Sequence, residues 1–218
     1  VEDGQGMSLK ALFSKGVFWL MLILMVTAGA SELAMSQWAS LFAEVGLNVS
    51  KTMGDLLGPC AFAVLMGCAR VYFGSRGAHL PLEGILAGSA ALCVVSYLVT
   101  VFSPLPVVSL IACAVTGLSV GAMWPATVSL SARNFPQGGT AMFAMLAVAG
   151  DIGCSSGPGL VGWVASRAQE GLHWVQAIFP GGEQAALKAG LLCAAAFPLM
   201  MALGVGLVRA ARRKGAFH

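Results

Sequence analysis

The 218-residue chain is 58% hydrophobic and only 10% charged, against roughly 25% charged in an average soluble domain. Its mean hydropathy is +0.84. So few polar residues cannot cover a water-exposed exterior, so composition excludes a soluble globular domain and asks for lipid around the chain. The formal charge of +3 includes no basic patch with interleaved aromatics, and nucleic acid is not an expected partner.

The opening residues Val1 to Gly6 are polar and acidic and do not read as a signal peptide. Residues 1–16 read as a cytoplasmic linker from a missing N-terminal half. Residues 17–208 form the membrane domain, and 209–218 a basic cytoplasmic tail. A membrane-crossing helix needs about 20 mostly apolar residues. Six segments meet this: Val17–Leu41, Met53–Phe73, Leu82–Phe102, Pro106–Leu130, Ala141–Ser166 and Leu187–Val208. The uncharged run from Gly84 to Ala132 is too long for one crossing, and Ser103-Pro104-Leu105-Pro106 divides it, because proline lacks a backbone donor and biases its predecessor away from helix. The loop from Arg167 to about Ala186 is the longest, with room for a short interfacial helix.

Six crossings place both ends on one side. Lys10, Lys15, Arg70, Arg76, Arg133, Arg209, Arg212, Arg213 and Lys214 then share the side of the termini, and Lys51, Arg167 and Lys188 lie opposite. Nine against three makes both termini cytoplasmic. Trp163, Trp174 and Phe179 are expected at the outer interface. Asn48-Val49-Ser50 matches a glycosylation sequon on the outer side. The six cysteines fall in apolar stretches with no Cys-x-x-Cys pair, and read as small buried hydrophobes. His79 and Glu83 are four apart but have no third ligand, so no metal and no cofactor are expected.

Ionisable groups at membrane depth are expensive and face protein or water. Glu32 is central in the first segment and Asp151 in the fifth, while Asp55 lies toward the outer end of the second. The third and sixth carry no ionisable group in their apolar cores. The first, second, fourth and fifth are therefore expected to line an aqueous cavity, with the third and sixth behind them against lipid. At 3.6 residues per turn, Ala28, Glu32, Met35, Ser36 and Ala39 share a face, with Gln37 and Trp38 beside it. This face is a candidate solute contact, with Glu32 a candidate proton carrier; a carboxylate that merely ties neighbouring helices is the alternative. In the fourth segment, Trp124 precedes Pro125, which invites a kink. In the fifth, Asp151 lies one turn before Ser155 and Ser156, followed by Gly157-Pro158, a hinge or a glycine packing seam. Gly117-Leu118-Ser119-Val120-Gly121 and Gly153-Cys154-Ser155-Ser156-Gly157 match a hydrolase pattern, but they sit inside apolar helices far from a buried histidine, so an enzyme is not expected.

Several stretches resemble the C-terminal half of a major facilitator superfamily transporter, over nearly the whole chain. The basic linker and following helix SLKALFSKGVFWLMLIL are similar to the approach to that family's seventh helix. GASELAMSQWASLF resembles the seventh helix of bacterial members distantly similar to fucose-permease-type sugar transporters. GCARVYFGSRG resembles the family's Gly-x-x-x-Asp-Arg-x-Gly-Arg-Arg loop, with Gly67, Gly74 and Arg76 matching and Val71-Tyr72 standing in place of Asp-Arg. GCSSGPGLVG resembles its Gly-x-x-x-Gly-Pro element at Gly153, Gly157 and Pro158. The resemblance implies an all-α membrane protein, a six-transmembrane-helix bundle forming half of a twelve-helix fold. Each half is built from two inverted three-helix repeats. It also implies alternating access coupled to a proton or sodium gradient in the bacterial cytoplasmic (inner) membrane. The expected solute is small and polar, such as a sugar, with Glu32, Ser36, Gln37, Trp38, Trp124 and Asp151 as its contacts. Glu32 and Asp151 would couple the ion, Gly67, Gly74 and Arg76 would gate, and Pro125, Gly157 and Pro158 would hinge. An efflux carrier of the same fold and a non-transporting membrane sensor fit the same residues.

Overall fold

A computed structural model describes residues 7–46, 50–77, 80–171, 173–179 and 182–213. Val1 to Gly6, the sequon residues Asn48 and Val49, His79 and the tail from Lys214 lie outside the described residues, as does the side chain of Trp174. Every regular element among the described residues is helical. Six helices are long and apolar enough to cross a bilayer: Gly16–Glu44, Lys51–Arg76, Leu82–Phe102, Pro106–Asn134, Gly139–Gln169 and Glu183–Arg212. They coincide with the six segments read from hydropathy, extended by up to four residues at most ends. The chain is thus an all-α six-helix bundle of an integral, multi-pass membrane protein. The short interfacial helix expected in the long loop is His173–Ile178.

The first span packs most extensively on the fifth and then on the sixth; the fourth packs on the second and third. Adding three to each span number exchanges these contacts. Burial follows the same exchange: the first and fourth spans are the most buried, the third and sixth intermediate, the second and fifth least. Because each set of three holds an odd number of crossings, the two sets run in opposite directions. The exchange is incomplete, since the fifth span packs closely on the sixth while the second barely meets the third.

Glycine makes the two main seams possible. A Cβ on Gly153 would strike the carbonyl of Val26, and one on Gly157 the carbonyl of Ala30; Gly29 lies as close to the Gly150 carbonyl. At the equivalent seam, Gly117 rests on the Phe62 backbone, and a Cβ on Gly121 would come within 2.7 Å of the Met66 carbonyl. Backbones this close gain dispersion contacts that lipid cannot offer. Tyr97 adds a polar tie from the third span to the first: fully buried, it donates to the Ser31 carbonyl at 2.8 Å. The third span is therefore not the purely apolar element its lack of charge implied, although its outer face (Leu92, Val95, Leu98, Val99) is exposed and apolar.

Prolines account for the interruptions. The fourth span breaks at Ala122, three residues before Pro125, and the sixth breaks at Ala195, three before Pro198. In each case proline cannot donate to the carbonyl four residues back. Pro59 lies in a wider π-type turn, Leu56–Cys60. Pro158, by contrast, sits in a helix unbroken from Gly139 to Gln169. At the end of the bundle where the first span begins, Ser8 caps the linker helix Leu9–Phe13, Leu12 is fully buried, and Met7 N–H donates to the Gln137 carbonyl at 2.7 Å. Glu83 opens the third span and pairs with Arg209 and Arg212 at 3.6 and 3.0 Å, joining the third span to the end of the sixth. Phe179, expected at the outer interface, is instead buried and stacks on Phe102 at 5.6 Å between centroids.

Gly153→Val should lower stability by about 1–3 kcal/mol or more through overpacking against the first span. Gly159→Val, where a Cβ meets nothing within 4 Å, should shift it by no more than about 0.5 kcal/mol. Thermal unfolding of the two purified variants checks this; equal melting would disprove the seam.

Candidate functional site

Glu32 lies 16 residues above the start of the first span, close to the bilayer centre at about 1.5 Å per residue. The helical face it shares is unevenly buried. Ala28, Met35 and Ala39 are buried in the core, whereas Glu32 and Ser36 sit at its edge, half-buried, and Gln37 is exposed. Arg70 of the second span reaches Glu32, its Nη2 donating to both carboxylate oxygens at 3.2 Å. The side chains are 14% exposed for Glu32 and 46% for Arg70. Arg70 lies inside the second span, six residues before its last residue, Arg76.

Toward the outer end, Ser40 Oγ donates to Asp55 Oδ1, tying the first span to the second. Trp38 donates its Nε1 proton to the Pro158 carbonyl at 3.2 Å and rests on Gly162. That indole is committed to holding the first and fifth spans together. It borders an outer groove shared with Ser166, Gln169 and Glu183.

Asp151 stands near the middle of the fifth span, exposed, in an open groove with Val148, Ile152, Ser155 and Ser156. Ser155 Oγ donates to the backbone carbonyl of Asp151 at 3.1 Å rather than to its carboxylate. Gly150, its neighbour, touches Gly29 of the first span on one side and the six-membered ring of Trp124 on the other. Gly29 is three residues before Glu32, so Asp151, next to Gly150, lies within about one helical turn of the height of Glu32. Trp124 is half-buried, and its Nε1 is buried without a hydrogen-bond partner. Of the expected contacts, Glu32 pairs with Arg70, Trp124 packs on Gly150 beside Asp151 in the chain, Ser36 is half-buried, Gln37 is exposed, and Trp38 bonds to the Pro158 carbonyl.

Gly67, Gly74 and Arg76 lie in the helix Ala61–Arg76, not in a loop. The two glycines have open space where a Cβ would be, and only Arg76 reaches the helix end. Gly157 seats the first span. Glu83 is held by Arg209 and Arg212, and His79 lies outside the described residues. Ser119 is buried and donates to the Thr116 carbonyl within its own helix, not at a strand-to-helix elbow.

Arg70 and Tyr97 are the working residues that sequence reading passed over. Arg70 had a signal: a charge flanked by Cys68, Ala69, Val71 and Tyr72, well before the helix ends. Tyr97 had none beyond being a lone phenol in an apolar run.

This architecture defines a polytopic membrane protein with ionisable groups at bilayer depth. No known protein family, curated protein or solved structure matches the chain.

Arg70→Gln should destabilise the protein more than the Glu32→Gln, Arg70→Gln double variant, because it alone strands a carboxylate. With Arg70 nearly half exposed, solvent screening holds the coupling to about 1 kcal/mol; a double-mutant cycle in unfolding measures it, and zero coupling would mean that the contact does not form. Water in the Asp151 groove is open to a second check. In a cysteine-free background, Ser155→Cys should react readily with a membrane-impermeant thiol reagent and Ser119→Cys should not; protection of Ser155→Cys would place this face against lipid.

Proposed function

We propose that the chain is the six-helix half of a secondary active transporter of the major facilitator type. It moves a small polar solute by alternating access across a bacterial cytoplasmic membrane, and the movement is coupled to a proton or sodium gradient. The observation that carries this reading is an exposed carboxylate, Asp151, at mid-span in the fifth helix, together with a half-open Glu32–Arg70 pair at mid-span in the first. Lipid does not tolerate such groups on a bundle surface, so this face borders water or a second bundle that encloses water with it. A structural knot would be dry and closed, as Tyr97 on Ser31 is.

Three features support a moving rather than a static bundle. The fourth and sixth spans are already interrupted at Ala122 and Ala195. The paired packing of spans is what inverted repeats produce, and such repeats rock about a site between them. The Glu32–Arg70 contact can open without stranding Arg70, which is half exposed. Glu32 and Asp151 then hold or pass the coupling ion, Trp124 and Asp151 meet the solute, and no covalent chemistry is required.

In the intact carrier reconstituted in proteoliposomes, Glu32→Gln and Asp151→Asn should each cut gradient-driven uptake by roughly tenfold or more, an effect of about 1.4 kcal/mol on the rate-limiting step. Wild-type flux in both variants would remove the two carboxylates from the mechanism.

A further inference from the structure

The carrier reading sets a second bundle against the exposed face; what that bundle is rests on the same reading and on the charges it must meet. The second and fifth spans are the least buried of the six. Both reach the first span near Glu32, where Arg70 meets the carboxylate and Gly150 meets Gly29, and they make no extended contact with each other. The half-buried edge of the first span at Glu32 and Ser36 therefore lies between two open flanks. One helical face of the second span carries Gly67, Arg70 and Gly74, and one face of the fifth carries Asp151, Ser155 and Gly159. A Cβ on any of these three glycines would meet nothing within 4 Å, so both stripes are open to the backbone of another helix.

The covering surface has two charges to satisfy. Arg70 is nearly half exposed and bonds to Glu32 through Nη2 alone, which leaves its Nη1 and Nε protons for a second carboxylate. Asp151 is exposed and enters no ion pair among the described residues. The two lie at similar depth, since Arg70 reaches Glu32 and Asp151 is within about one helical turn of it. A partner has to bring a carboxylate to the second span and a cation to the fifth, at one height. This chain carries that pair itself. A two-fold axis along the bilayer normal, beside Glu32, sets the second span of each copy on the fifth span of the other and forms the same contact twice. We propose that the face is covered by a second copy of this chain, with Arg70 bridging Glu32 of its own copy and the partner's Asp151. The separate N-terminal bundle implied by the resemblance is the competing occupant.

The full chain, with one fluorophore per copy, is reconstituted into lipid vesicles at falling protein-to-lipid ratios, and bleaching steps count the copies in each particle. The wild type should be dimeric at ratios where Arg70→Asp and Asp151→Arg are each monomeric, because either change sets like charges at both contacts. Mixed in equal amounts, these two variants should pair with each other, since their union gives one reversed and one native contact, each of opposite charge. Should Arg70→Asp not fold, Asp151→Asn, which alters an exposed group, should weaken the dimer about tenfold or more, and Asp151→Arg further. A wild-type chain that stays monomeric assigns the face to a different bundle and overturns the inference. Variants that dimerise as the wild type does, or a mixture that stays monomeric, overturn it too. The carrier reading is decided separately, by gradient-driven uptake in Glu32→Gln and Asp151→Asn.

Discussion

The first span occupies the middle of this bundle because glycine lets another backbone touch it. Gly150, Gly153 and Gly157 of the fifth span present no side chain where Val26, Gly29 and Ala30 pass. In a bilayer the hydrophobic effect does not push helices together, so close fit and a few hydrogen bonds must do it. The rest of the arrangement follows from this contact. It fixes the height of Asp151 relative to Glu32, brings Trp38 over Pro158, and leaves the opposite side of the first span for Tyr97 of the third and Met201 of the sixth.

Polar groups in such a bundle sort by how they are satisfied. Thr27, Ser31, Thr100, Thr116 and Ser131 are buried, and their hydroxyls bond to carbonyls one turn back, adding no demand on the surroundings. Tyr97 and Trp38 satisfy carbonyls across helices and so position spans. Glu32 and Arg70 satisfy each other at the edge of the core. Asp151 is satisfied by nothing within the described chain. A carboxylate left in that condition on a helix otherwise fit for lipid marks where water, a partner surface or a ligand must be.

Helix continuity shows that position along the helix decides what a proline does. Pro125 and Pro198 interrupt their helices, while Pro158 does not. Around Pro158 the fifth span is clamped on both flanks, by Ala30 against Gly157 and by Trp38 on the Pro158 carbonyl and Gly162.

Hydropathy alone determined the number of crossings, their approximate ends and the short helix in the long loop, because a bilayer demands about 20 apolar residues per crossing and admits no open edges. The mid-span carboxylates were equally legible, since a charge in an apolar run is conspicuous however the chain folds. Tertiary structure decided what each charge does. Arg70 has no visible partner until the second span is placed beside the first, and Glu83 none until the sixth span brings Arg209 and Arg212 to it. Gly67 and Gly74 look like a loop motif until the helix is seen to run through them to Arg76. A one-dimensional pattern records which residues lipid will accept, whereas ion pairs, carbonyl contacts and glycine seams depend on distances between residues far apart in the chain.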